Sequence, residues 1–437
     1  MISGRTKELT RYIVPTVLSN CAFFLFTVVD GIFVGRGVGT DALGAVNLAL
    51  PFVMIANALF MLATIGGVTV AAIRLGRGDK DGASQAFAHA LIGVLLISTL
   101  LSGAGVFGTN TLAGLLGAND TFHALVVDYL FWYAIFLIPM GLTLALQGFC
   151  RNDGSPVLVS ASVIISTILN IFGDWLLIFP LGMGVRGAAI ATGVSQSLGL
   201  AVVALHFLQR RGSLRLGGFR FQAPLFLKIV GRGLPEMIGQ FAMPVTTVCM
   251  NYALISRLGD VAVNAYSITS YVASFSVAIF VGSSEGLQPL FGQSYGRRDG
   301  KSLSFYFRAG AWINLTGSVA VFGLIFLLGG PICALFNAAP AVYAVTLEAL
   351  PRYAWSFIPI ALNTHISAYL YSTKRTKESI LLNTCRSLIF NSSIIFALPA
   401  IFGDGLLWFT AGIAETLAML LAFILLVRSE RNGVVFQ

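Results

Sequence analysis

Asp30 and Asp174 are carboxylates set inside strongly apolar stretches, residues 12–34 and 157–179. A charge at the bilayer centre costs at least ~2.5–3.5 kcal/mol, so a carboxylate kept there needs a reason. At 1.5 Å per helical residue, Asp30 lies about 28 Å beyond Arg11 and Asp174 about 27 Å beyond Pro156, which puts them at similar depth. Asn170 is one turn before Asp174 and shares its face. Burial disfavours a charged carboxylate, and a second carboxylate beside it does so further. Such a group could take up and release a proton, or ligate Na+; the bland alternative is a hydrogen bond to a neighbouring helix. Glu285 and Glu415 are also expected inside spans, about 16 Å from Gly296 and about 20 Å from Arg428. No partner is evident for either, so each is a structural group or a cation-attracting wall. Glu236 follows Pro235 at an expected helix start, where a carboxylate complements the dipole.

The elements that must position these groups are membrane spans. Of 437 residues, 57% are hydrophobic and 10% charged, and the mean hydropathy is +0.85. That excludes a soluble enzyme, a nucleic-acid-binding domain and a disordered chain. Apolar stretches long enough to span run at about 12–34, 43–73, 84–108, 124–147, 157–179, 187–209, 229–256, 262–295, 303–329, 345–371, 378–401 and 405–427. An even number puts both termini on one side. Of the 27 Lys and Arg, only Arg36, Arg186, Arg257 and Arg352 fall in one alternating set of connections; the rest, Arg386 included, are assigned to the other. Both termini are therefore expected in the cytoplasm. The basic stretch 210–228 reads as a cytoplasmic linker between a six-helix lobe at 1–209 and another at 229–437.

The two lobes are alike. A shift of 220 residues places Pro15 on Pro235, Gly39 on Gly259, Gly66 on Gly286, Asp79 on Asp299 and Tyr133 on Tyr353, and the pairs Gly76-Arg77 and Ile138-Pro139 on Gly296-Arg297 and Ile358-Pro359. Six spans per half makes the repeats parallel. The expected fold is thus an all-α membrane protein, twelve transmembrane helices in two parallel six-helix repeats around a central cleft, suited to alternating access. Pro15 falls early in the first span and permits a bend that could move Asp30. Met250 and Tyr266 are among the side chains that could line the cleft. Asp30 itself falls on Met250 at the 220 shift, which confines its chemistry to the first lobe. There is no phosphate-binding G-x-x-x-x-G-K-[ST], no Ser/His/Asp constellation and no metal-ligand cluster. The five cysteines have no paired spacing.

The run Val29-Asp30-Gly31-Ile32-Phe33-Val34-Gly35-Arg36 resembles multidrug and toxic compound extrusion (MATE) transporters. So do Asn170-Ile171-Phe172-Gly173-Asp174 and the following Gly182-Met183-Gly184-Val185-Arg186-Gly187, and Glu285-Gly286-Leu287-Gln288-Pro289-Leu290 is similar to the eighth helix of bacterial members. The resemblance covers essentially the whole chain. It implies export of organic, often cationic and aromatic compounds in exchange for H+ or Na+. It implies a first-lobe cation site at Asp30, Asn170, Asp174 and Thr192, with Tyr129 the closer match for a fourth-helix tyrosine and Tyr133 the other candidate, and a first helix bent at Pro15. Gln288 joins Glu285, Glu415, Met250 and Tyr266 as candidate cleft residues. The acid that some members carry midway along the seventh helix is missing from Gln240-Phe241-Ala242-Met243-Pro244, which places coupling in the first lobe.

The sequence is therefore expected to encode a non-enzymatic inner-membrane antiporter. It is expected to be a monomer in the lipid bilayer, without cofactor or nucleic-acid partner, with H+ or Na+ as coupling ion and small organic molecules as cargo. The rival is a flippase or exporter of lipid-linked or other metabolite precursors. A diphosphate cavity would want basic residues, and the spans look nearly free of them.

Overall fold

The protein is described by a computed structural model over residues 2–335 and 339–431, a few side chains excepted, Leu43 and Met243 among them. The described residues are helical, without strands. The first half comprises α1 (Ile2–Gly37), α2 (Thr40–Gly76), α3 (Lys80–Phe107), the short α4 (Thr109–Leu115), α5 (Asp120–Ile135), α6 (Leu137–Asn152), α7 (Pro156–Ile178) and α8 (Gly184–Leu208). The second comprises α9 (Ala223–Gly239), α10 (Ala242–Arg257), α11 (Asp260–Arg297), α12 (Gly300–Leu335), α13 (Pro340–Ala354), α14 (Phe357–Ser372), α15 (Thr376–Thr384), α16 (Asn391–Phe402) and α17 (Thr410–Arg431). A π-helical turn, Cys385–Phe390, joins α15 to α16, and a 3-10 turn, Asp404–Phe409, joins α16 to α17.

By length and apolarity, ten helices among the described residues can cross a membrane, and α5 with α6 makes an eleventh span bent by 51°. The bend has a chemical cause. Pro139 has no N–H for the carbonyl of Ile135 and its ring crowds that carbonyl, so α5 stops there. Pro359 stands in the same relation to Trp355, just past the end of α13. Residues 340–372 are thus the counterpart of 120–152 and complete twelve spans. They carry the Glu348–Arg352 ion pair.

The repeat extends to individual backbone torsions. Positive φ recurs at the 220 shift in Gly39 and Gly259, Gly78 and Arg298, and Gly154 and Lys374. Both Asp79 and Asp299 then cap the next helix. Asp79 Oδ1 accepts from Gly82 N at 2.8 Å, and Asp299 Oδ1 from Ser302 N at 3.0 Å. Hydrogen bonds from the Ser302 hydroxyl and backbone hold the Asp299 carboxyl below the usual carboxylate range.

Packing divides the chain into a first lobe, Val14–Leu234, and a second lobe, Pro235–Gln437 with Met1–Ile13. These limits differ from the 209 and 229 boundaries drawn from hydropathy, because helices run on past their apolar cores. The start of α1 packs in the second lobe: a Cβ on Gly286 would lie 2.8 Å from the Tyr12 carbonyl oxygen. The start of α9 packs in the first lobe, where Gly66 sits against the Ile229 carbonyl and Gly233 against that of Leu62. No side chain fits at these crossings.

The stretch between the lobes is anchored rather than a free linker, and residues 223–228 already belong to α9. Buried Asp153 accepts from Ser213 N at 2.8 Å and Leu214 N at 3.3 Å, and pairs with His206 Nε2 at 3.0 Å. Gln222 N donates to His89 Nε2 at 2.8 Å. The core of the first lobe gathers Ala45, Phe52, Phe60, Leu130, Tyr133 and Leu137; that of the second gathers Met250, Leu254, Phe280, Leu350, Phe357 and Trp408. Large apolar side chains such as Leu100, Phe107 and Leu327 lie on the outside, as lipid-facing helices require.

Gly78 and Arg298 allow a direct test of the backbone repeat. Both are left-handed, a conformation that costs a non-glycine residue about 1–2 kcal/mol. Arg298→Gly should raise stability by about 1 kcal/mol and Gly78→Ala lower it by a similar amount, read from unfolding of the purified protein in mixed micelles.

Candidate functional site

Three helices of the first lobe bring the acidic residues together. α1 supplies Asp30 and α7 supplies Asn170 and Asp174 on one face. α8, in close contact through Gly173 against Ala191, supplies Thr192. Asp174, Asn170 and Thr192 are buried and Asp30 partly so. The carboxyl groups of Asp30 and Asp174 lie within hydrogen-bonding and electrostatic reach of each other. Two bare anions at that range repel each other. Turned to satisfy both of its ends, the Asn170 amide donates from Nδ2 to Asp174 Oδ2 at 3.0 Å and accepts at Oδ1 from Thr192 N at 3.3 Å. The buried Oδ1 atoms of Asp30 and Asp174 receive no donor from the described residues.

Tyr129 closes the site. It lies within electrostatic reach of both carboxyl groups and stacks on Tyr133, with ring centroids 5.8 Å apart. The five residues assigned to the cation site by resemblance therefore cluster, and Tyr133 stands beside them. Pro15 lies inside α1, which continues through it as one helix. Its carbonyl accepts from Ser160 Oγ at 2.5 Å and Ser19 Oγ at 2.8 Å.

The other candidates lie in the second lobe and do not form one group. Glu285, Glu415 and Tyr266 line a cavity of about 240 Å³ together with Glu236, Tyr353 and Arg386. Gln288 and Met250 are buried outside that lining, and Met250 Sδ accepts from Thr410 Oγ1 at 3.4 Å. Two expectations are corrected here. Glu236 is not at a helix start: α9 begins at Ala223 and runs through Pro235. Glu415 is not partnerless: both its oxygens accept from Arg386 Nε, at 2.9 and 2.8 Å, and Asn363 Nδ2 donates to Oε2 at 2.8 Å.

Arg386 is the residue the sequence reading misplaced. It is not in a cytoplasmic connection but within the span Thr376–Phe402, its side chain 14% exposed. The signal was present: Arg386 is nine residues past Lys377, about 14 Å along a helix, in an otherwise apolar run. Asn363 and Asn383 were also passed over. Asn383 Nδ2 donates to the Pro235 carbonyl at 2.7 Å, as Ser160 does to Pro15.

Two six-span repeats, with a carboxyl pair in the core of the first, define a membrane transporter of the repeated-lobe class. The MatE family model matches the chain twice, over residues 15–176 and 235–396, and the two matches are offset by the same 220 residues. The chain belongs to the MatE family. It is 22% identical over 425 residues to the multidrug export protein MepA of Staphylococcus saprophyticus, covering 96% of this chain and 93% of that protein. Its fold matches an outward-facing multidrug resistance MATE family transporter of the MOP superfamily with a TM-score of 0.92 at 21% identity, covering 98% of this chain and 97% of that one. It matches a MATE crystal structure in the straight conformation with the same TM-score at 22% identity and the same coverage.

Gly193 follows Thr192 in α8 and faces Phe136 at the break between α5 and α6, where a Cβ would run into the ring. Gly193→Ala should cost about 1–3 kcal/mol by overpacking, measured as thermal unfolding in detergent.

Proposed function

We propose that the chain is an inner-membrane antiporter that exports small organic compounds, cationic aromatic ones among them, in exchange for H+ or Na+, with both termini in the cytoplasm. The observation that carries the coupling role is the contact between Asp30 and Asp174, braced by Asn170 and Thr192. As a proton site, the pair holds one proton in one conformation and releases it in another, where its surroundings differ. As a sodium site, the carboxylates, the Asn170 carbonyl oxygen and the Thr192 hydroxyl supply the hard oxygen ligands a small cation requires. In either case the cation favours the conformation that binds it, and only that differential affinity can drive the lobe between states.

The name of the multidrug export relative and the family membership support organic cargo. A flippase for diphosphate-linked lipids is disfavoured by the charge of the second-lobe cavity, where three carboxylates face one guanidinium.

The test is ethidium efflux from proteoliposomes under an imposed pH gradient and, separately, a Na+ gradient. Wild-type protein should respond to one of them, which names the ion. Asp30→Asn and Asp174→Asn should each abolish gradient-driven efflux while inserting normally. Full efflux by both variants would remove the coupling role.

A further inference from the structure

The connection from α8 to α9 spends its backbone on its own lobe and leaves its side chains outside. Three side chains of α3 hold it. Ser84 Oγ accepts from Arg215 N at 3.1 Å, and Gln85 donates to the Gly218 carbonyl at 2.7 Å while accepting from Arg220 N at 3.2 Å. His89, already bonded to Gln222 N, lies against the rings of Phe219 and Phe221, with centroids 5.0 and 5.6 Å away. Residues 215–224 are nonetheless all exposed. Phe221 is 64% exposed, Leu216 59% and, early in α9, Leu227 69%. None of the three joins the cores of the first lobe.

The charge of the same region is of one sign. From Trp175 to Pro235 there are seven Arg and Lys and no carboxylate. Lys228 lies within electrostatic reach of Arg232, Arg74 and Arg77, all of its own sign. Two acids of the adjoining connections are engaged. Asp153 is taken by His206 and two backbone N–H groups, and Asp79 caps Gly82 and lies 3.9 Å from Arg74. Among the described residues, no carboxylate lies within ion-pair distance of Arg77, Arg211, Arg220 or Lys228, and all four are exposed.

We propose that this face of the first lobe docks anionic lipid, its phosphate on Arg77, Arg220 and Lys228 and its acyl chains against Leu216, Phe221 and Leu227. The connection is only fourteen residues, 209–222, between two membrane spans, so it lies where those spans leave the bilayer. Single apolar side chains interleaved with arginine, as in Phe219-Arg220-Phe221, suit the boundary between headgroups and acyl chains. Long basic side chains there lay their stems on apolar surface and keep their charge among the headgroups. Free phosphate would answer the charge and leave the phenylalanine and leucines in water. A zwitterionic lipid would bring its ammonium into a field that is already positive. The tied backbone presents the site ready-made, so little ordering is lost on binding. Lipid binding here is independent of which compound or ion the chain moves.

Native mass spectrometry of the full-length protein in detergent measures it, with palmitoyl-oleoyl phosphatidylglycerol or phosphatidylcholine titrated in separately. Phosphatidylglycerol should bind about fivefold more tightly. Arg77→Gln/Arg220→Gln/Lys228→Gln should bring the two lipids to near parity. Arg297→Gln/Arg298→Gln/Lys301→Gln removes the same charge from exposed positions of the second lobe and should keep most of the preference. Phe221→Ser/Leu227→Ser should weaken both lipids alike and leave their ratio unchanged. Millimolar glycerol 1-phosphate, the headgroup without chains, should displace neither. All the substituted side chains are exposed, so folding is not at stake. Equal binding of the two lipids, an equal loss in the two triple variants, undiminished lipid binding by Phe221→Ser/Leu227→Ser, or displacement by glycerol 1-phosphate overturns the proposal.

Discussion

A helix in lipid has no water to receive a backbone carbonyl that its own hydrogen-bond ladder leaves exposed, so another protein group must take it. Polar side chains also reach the backbone of the first span of each lobe at its proline. At Pro15 the hydroxyls of Ser160 and Ser19 donate to the proline carbonyl; at Pro235 the Asn383 amide does so. In each lobe the fifth span thereby grips the first. That grip fixes where Asp30 meets Asp174, because α1 carries the one and α7 the other. At Pro139 and Pro359 the missing N–H instead coincides with the end of one helix and the start of the next.

One backbone plan has been given two electrostatic characters. The 220 shift carries Asp30, Asn170, Asp174 and Thr192 onto Met250, Phe390, Ile394 and Gly412, none of which can hold a charge. In the other direction, Arg386, Asn363 and Glu415 fall on Ser166, Thr143 and Ser195, three hydroxyl residues. Each lobe is thus ionic where its counterpart is neutral. The first lobe sets its two carboxyl groups together, with the Asn170 amide and Thr192 beside them. The second supplies a permanent counter-charge from its own chain, on a side chain fixed by a π-helical turn.

The repeat was legible because Pro15, Gly66, Asp79 and their partners sit at one constant offset, and a backbone turn that needs glycine or a capping carboxylate leaves such a mark. Asp30 and Asp174 were legible because a carboxylate among twenty apolar residues stands out, and helical rise alone sets its depth. The pairing of Arg386 with Glu415 was not. It depends on how α17 and the π-helical turn face each other, which neither segment encodes by itself. A rule that assigns basic residues to connections then carried Arg386 out of the membrane. The lobe limits at Ile13 and Leu234 were illegible for a related reason. Hydropathy marks where lipid begins and ends, whereas packing depends on close approach at Gly66, Gly233 and Gly286.

Those glycines mark where each unit takes in the start of a helix from the other half of the sequence. The opening turns of α1 lie against Gly286, and the opening turns of α9 lie against Gly66. Each six-helix half lends the beginning of its first helix to the other and receives the same in return. A half-length chain would therefore be an unfinished object, with a backbone-wide groove at its glycine and a helical arm that has nowhere of its own to dock. Two copies related by a two-fold axis would finish each other by trading arms, the reciprocity that defines a domain-swapped dimer.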